Sequence, residues 1–132
     1  MAKDFDLSKY ELVETSQLFV QNPKGGDLIG ENDKPVIINF YGMGSKQYIN
    51  AKYKLDNANQ TRSIAMLRGK AARPEEVAQS NAEFFAAVTH SIENFPITPI
   101  ELYSNHKLKY ITDQADKYLS ETENFMPSWP MK

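Results

Sequence analysis

The sequence predicts an α+β fold: an antiparallel β-hairpin or small sheet over about 11–41, then three to four α-helices over about 45–68, 74–95, 98–104 and 105–125. Three observations predict it. β-branched and aromatic runs crowd into the first third of the chain, separated by dense turn clusters. From Ser45 onward the apolar residues recur at helical spacing rather than alternating. Strands precede helices instead of alternating with them, which disfavours a parallel α/β sheet. The 132 residues suit one domain spanning the whole chain, large enough to bury a core without covalent staples.

The elements follow in order. Glu11–Val20 is rich in β-formers and runs into Gln21-Asn22-Pro23-Lys24-Gly25-Gly26-Asp27, where Pro23 presets φ and the two glycines can take the positive φ of a tight reversal. Leu28-Ile29 precedes a second turn cluster, Gly30 to Pro35. Val36-Ile37-Ile38-Asn39-Phe40-Tyr41 is the clearest strand, bounded by Pro35 and Gly42. Ser45 caps a helix running to about Arg68, with Tyr48, Ala51 or Lys52, Leu55, and Ala58 or Asn59 on a thin stripe that Ile64, Met66 and Leu67 restore. After the linker Gly69–Arg73, Pro74 starts the second helix, with Glu75 and Glu76 at its positive end. Its apolar face reads Val77, Phe84, Phe85, Val88, Ile92 and Phe95, up to Pro96. Thr98-Pro99-Ile100-Glu101 is a capping box that opens a third helix. Ser104-Asn105 can break it and cap a fourth, whose stripe is Leu108, Ile111, Ala115, Tyr118 or Leu119, and Phe125. Pro127 ends that helix and leaves a tail, 126–132.

Composition removes much chemistry. The absence of cysteine excludes disulfides, thiolate metal sites, iron–sulfur clusters and a cysteine nucleophile. Two histidines, His90 and His106, cannot build an all-histidine metal centre in one chain. No stretch approaches the ~18–20 apolar residues that cross a bilayer. The first residues lack a basic start and an apolar run, so a soluble intracellular protein is expected. The strand–turn–helix passage Ile38–Lys46 has the outline of a phosphate loop but neither its spacer nor its Gly-Lys-Ser/Thr ending. Ser45 and Ser63 lack a nucleophile-elbow setting. No carboxylate pair is tied to a histidine or a nucleophile. Catalytic residues, cofactor and metal are all expected to be none.

Charge is more informative. The net −2 conceals a split: Lys46 to Arg73 holds seven basic residues and one acid, Asp56, for +6, while the remainder sums to −8. Three readings compete for the basic segment: a solvated face attracting the acidic helices of the same chain, nucleic-acid binding, and association with an acidic protein surface or another copy. The negative total charge and the lack of a basic tail weigh against nucleic acid. The ending Phe125, Met126, Trp129, Met131 either covers the core or docks on a partner, since Trp and Met are favoured anchors. The candidate partner-binding residues are Lys52, Lys54, Arg62, Arg68, Phe125, Met126 and Trp129.

Taken together, these segments resemble a family. They are a strand ending in Asn22-Pro23-Lys24-Gly25, the strand Val36–Gly42, the helix start Gly44-Ser45-Lys46-Gln47-Tyr48 and the polar stretch Asn57 to Arg62. Ile100 to Tyr103, a helix containing Gln114, and Asn124-Phe125 complete the order. The pattern is similar to the tail assembly chaperones encoded among the tail genes of long-tailed bacteriophages. Many relatives place a tryptophan near the end of the middle helix, where this chain has Ile92 or Phe95. The resemblance implies a non-enzymatic protein that binds the aggregation-prone tape measure protein and helps tail tube subunits polymerise around it. It implies action in the host cytoplasm and absence from the finished virion. A dipolar surface suits head-to-tail homo-oligomers, and no membrane or cofactor is involved. A structural virion protein, such as a head–tail connector or tail-completion subunit, is the alternative, and a nucleic-acid-binding regulator a further one.

Overall fold

A computed structural model describes residues 6–127 and has the expected α+β architecture. Strands β1 (Thr15–Phe19), β2 (Ile37–Tyr41) and β3 (Thr89–Glu93) form an antiparallel sheet in the order β1-β2-β3. The helices are α1 (Lys46–Leu67), α2 (Pro74–Ala87), α3 (Pro99–Ser104) and α4 (Lys109–Leu119). Alternation decides which sheet face is inside. Ile38 and Phe40 are buried, whereas Ile37, Asn39 and Tyr41, which alternate with them, are not. Leu18 pairs with Ile38 on β1's side and Ile92 on β3's, so these three share the inner face. Against that face lie Ala82 of α2, Leu102 and Tyr103 of α3, and Ile111, Ala115 and Leu119 of α4.

The hairpin is held by a wedge. Beyond β1 and β2 the strands part and Leu28 enters between them: the Leu28 N–H donates to the Val20 carbonyl (2.9 Å) and the Val36 N–H to the Leu28 carbonyl (2.8 Å). Gly25 and Gly26 take φ of 110° and 78°, as the turn chemistry predicts. At the other end of β2, Gly42 is required by proximity: a Cβ there would lie 1.9 Å from the Val13 carbonyl oxygen.

Two boundaries depart from expectation. The second helix stops at Ala87, not near 95, and Thr89–Glu93 form the third strand. Phe40 faces Thr89 and Asn39 faces Ser91, so His90 is an extra residue, a bulge. That bulge puts Thr89 and Ile92 on the same face at a three-residue spacing, which imitates helical periodicity. Asn94 then turns the chain at φ 65°, its side-chain amide donating to the Pro35 carbonyl at 2.7 Å. The second departure is in the expected 105–125 helix, of which α4 occupies only Lys109–Leu119, between 3-10 turns at His106–Leu108 and Thr122–Phe125.

The final turn seals the edge of β1. The Tyr118 hydroxyl donates to the Gln17 carbonyl at 2.8 Å, and the Ser16 hydroxyl, which also meets that of Tyr118, donates to the Asn124 carbonyl at 2.6 Å. Gln114 acts as a surrogate strand: its side-chain oxygen accepts from the Gln21 N–H and its amide donates to the Gln21 carbonyl, both at 2.8 Å. Such side-chain capping occupies groups that an edge strand otherwise offers to other chains.

Candidate partner-binding surfaces

Sequence decides how α1 sits. The Ser45 hydroxyl caps it, accepting from the Tyr48 N–H at 3.2 Å. Of its 22 residues, about 33 Å of helix, only Ala51 is buried. Ala51, Leu55, Ala58 and Ala65 lie on the side of α1 turned towards α2. Arg62 completes this seam, donating to the Ser80 hydroxyl at 3.0 Å and to the Asn59 side-chain oxygen at 2.6 Å.

Between the first half of α1 and α4 lies a cleft of about 530 Å³, within the range that encloses a large ligand or side chain. Aromatic rings line it in sequence. Tyr48 meets Phe84 edge-on at 5.8 Å, Phe84 meets Phe85 at 5.5 Å, and Phe85 tilts against Tyr103 at 5.5 Å. Tyr103 shares a 2.8 Å hydrogen bond with the Thr89 hydroxyl, which itself lies 2.8 Å from the Phe85 carbonyl. Burial raises the Tyr103 phenol above its ordinary value, against a smaller lowering from Thr89, so it stays a neutral lining group. The walls carry both signs: Lys52, paired with Asp56 at 3.6 Å, on α1, and Lys109, paired with Asp113 at 3.0 Å, with Asp116 on α4. Both pairs are exposed, so they are weak and free to exchange partners.

A second surface lies on the outer side of α1. Ile49, Tyr53, Ile64 and Leu67 fall within about 60° of one another around the helix at 100° per residue. They are 56%, 68%, 46% and 88% exposed. This stripe faces away from Ala51 and from the cleft.

The residues expected to bind a partner do not form one patch. Lys52 lines the cleft, Lys54 borders a shallow hollow beside Ser80 and Glu83, and Arg62 is committed to the α1–α2 seam. Arg68 is exposed at the C-terminal cap of α1. Phe125 is fully buried, its ring edge-on to Tyr118 at 5.6 Å and its carbonyl accepting from the Val13 N–H at 2.7 Å, so it belongs to the core. Met126 is exposed beside it, and Trp129 lies outside the described residues. The ring-lined cleft was not anticipated, although Phe84-Phe85 was a signal: adjacent helical residues point about 100° apart, so both cannot face the centre of one core.

Among the described residues, no group of three or more histidine or carboxylate side chains is placed to hold a metal, and no helix is long and apolar enough to cross a membrane. Comparison with family models, curated proteins and solved structures finds no match to the chain.

Proposed function

We propose that this chain is a non-enzymatic tail assembly chaperone of a long-tailed phage, which holds segments of the tape measure protein in the cleft between α1 and α4. The observation that carries this reading is the cleft itself: about 530 Å³, lined by Tyr48, Phe84, Phe85 and Tyr103 and rimmed by lysines and aspartates. An amphipathic helix laid there buries a large apolar side chain against the rings, and its polar flanks meet Lys52, Lys109, Asp113 and Asp116. Covering such apolar side chains one segment at a time is what keeps a long, aggregation-prone chain soluble. On this reading the protein acts in the host cytoplasm beside the tail tube subunits and is left behind when the particle is complete.

Co-expression with the tape measure protein of the same genome tests the proposal. Wild type is expected to co-purify with it and raise its soluble fraction. Asn81 lies exposed on the cleft wall, so Asn81→Trp fills the space without touching the core. It should weaken the complex at least about tenfold, or ~1.4 kcal/mol, with an unchanged melting temperature. A wild-type chain that neither co-purifies nor solubilises the partner overturns the reading. Mass spectrometry of purified particles should find the chain missing, whereas a fixed copy number would make it a structural subunit.

A further inference from the structure

Gly69 ends α1 in a left-handed turn at φ 84°, and the chain doubles back. The Gly69 N–H donates to the Met66 carbonyl and the Lys70 N–H to that of Ala65, both at 3.0 Å, which satisfies the last carbonyls of the helix and fixes the direction of the elbow. Pro74 then opens α2. At this elbow the two helices enclose a hollow of about 360 Å³, and Arg62, Lys70 and Arg73 all line it. We propose that the hollow is a binding site for a short acidic peptide segment of another protein, whose carboxylates it takes between those three cations. None of its residues lines the cleft between α1 and α4, so the site does not depend on what fills that cleft.

The rest of the molecule does not neutralise this elbow. The ion pairs among the described residues, Lys52–Asp56 and Lys109–Asp113, each join neighbouring turns of one helix. The acidic helix α4 therefore does not cover the basic segment. Glu76 is the one acid in the lining, and it forms no ion pair with the three cations. Lys70 and Arg73 are exposed, and their side chains have no hydrogen-bond partner among the described residues. Arg62 differs in kind. It is half-buried, and its guanidinium is held by the Ser80 hydroxyl at 3.0 Å and the Asn59 side-chain oxygen at 2.6 Å. Those two bonds fix its planar fork and leave further N–H donors unspent. Like charges around one hollow repel one another. An anion set among them removes that repulsion and gains charge-assisted hydrogen bonds.

The lining also selects among anions. Ala65, Ala71 and Ala72 complete it, a surface of methyl groups against which the methylenes of a glutamate side chain can lie. No aromatic ring is among the lining residues, so a nucleic-acid strand finds nothing there on which to stack its bases. Outside Lys46–Arg73 the chain sums to −8, which repels a long polyanion wherever it runs past the elbow. A short acidic segment meets the hollow alone and keeps the attraction. Three cations against Glu76 leave two positive charges, the match for two carboxylates. Glutamates three or four residues apart on a helix present such a pair on one face.

Fluorescence anisotropy of a fluorescein-labelled hexaglutamate peptide, titrated with the full chain at low salt, is the test. Wild type is expected to bind it saturably, one to one, and at least about tenfold more weakly once salt at about 0.3 M screens the charges. Lys70→Glu with Arg73→Glu should weaken binding at least about tenfold. Both side chains are exposed, so the melting temperature should not fall. Should that pair disturb the fold, Lys70→Ala with Arg73→Ala replaces it and is expected to lower affinity in the same direction. Glu76→Gln removes the opposing acid and should tighten binding about two- to fivefold. Lys24→Glu with Lys34→Glu makes the same change of charge on the exposed hairpin and should alter binding less than about twofold. Wild type that shows no saturable binding overturns the proposal, as do elbow variants that bind like wild type. Equal weakening by the hairpin pair also overturns it, because it would mark attraction without a site. A six-residue thymidylate strand that binds as tightly as the peptide, and is lost in the same elbow variants, would assign the hollow to nucleic acid instead.

Discussion

Tyr118 joins three parts of the molecule with one side chain. Its ring stacks on Phe40 at 5.7 Å and receives the edge of Phe125, while its hydroxyl reaches the Gln17 carbonyl and the Ser16 hydroxyl on β1. Tyr118→Phe keeps both ring contacts and leaves the Gln17 carbonyl without this donor. It should cost about 1–2 kcal/mol, seen as a fall of several degrees in the melting temperature. A variant as stable as wild type would show that water satisfies the carbonyl equally well. At this scale the sequence is only half legible. The position of Tyr118 on an apolar helical stripe can be read from spacing. Its hydroxyl partners cannot, because they lie 101 and 102 residues away and only the folded chain brings them together. Gln114 is the same case: a polar residue on a helix, until the fold turns its amide into a stand-in for a strand.

Elements that end on local chemistry were the readable ones. The box at the start of α3 forms as expected, with Thr98 and Glu101 bonded reciprocally. The bond from the Thr98 backbone N–H foremost, and then that from its hydroxyl, hold the Glu101 carboxyl below its ordinary value of 4.5. A carboxyl whose folded pKa lies below its unfolded one stabilises fully above the unfolded value and loses that contribution as pH falls through the folded value. Wild type should therefore lose part of its stability on acidification below about pH 4.5 that Glu101→Gln, which lacks the contribution throughout, does not lose. Melting curves of both proteins across that range check this, and parallel curves would contradict it. The element that resisted reading was β3. Its bulge at His90 breaks the two-residue alternation by which a strand is recognised, and its Phe-rich approach through α2 extends the helical pattern into it. A pairing partner 52 residues away, Asn39 against Ser91, is what makes the strand.

For the whole molecule, the division of labour between core and surface was the least legible feature. Phe125, with its terminal position and apolar neighbours, has the composition of a docking residue and the burial of a core one. Phe125→Ala should cost about 3–5 kcal/mol, as a large buried ring does. Because Phe125 meets Tyr118 and Val13 together, chemical denaturation should shift as one transition rather than develop a separate early phase. An early phase limited to the last turn would show that turn to be an appendage. The separated charge was visible in the sequence, but not how α1 would distribute it: packing on α2 sends Lys52 to the cleft, Lys54 to a shallow hollow and Arg62 into the α1–α2 seam. The Ser16–Asn124 bond, spanning 108 residues, has a further consequence, for synthesis. Closing a loop of that length is entropically late, and contacts so remote slow folding relative to a helical bundle. While a ribosome is still adding α4, β1 has no cover along its outer edge, and a neighbouring nascent chain can pair with it. The strand closes to strangers only when the last turn has been made.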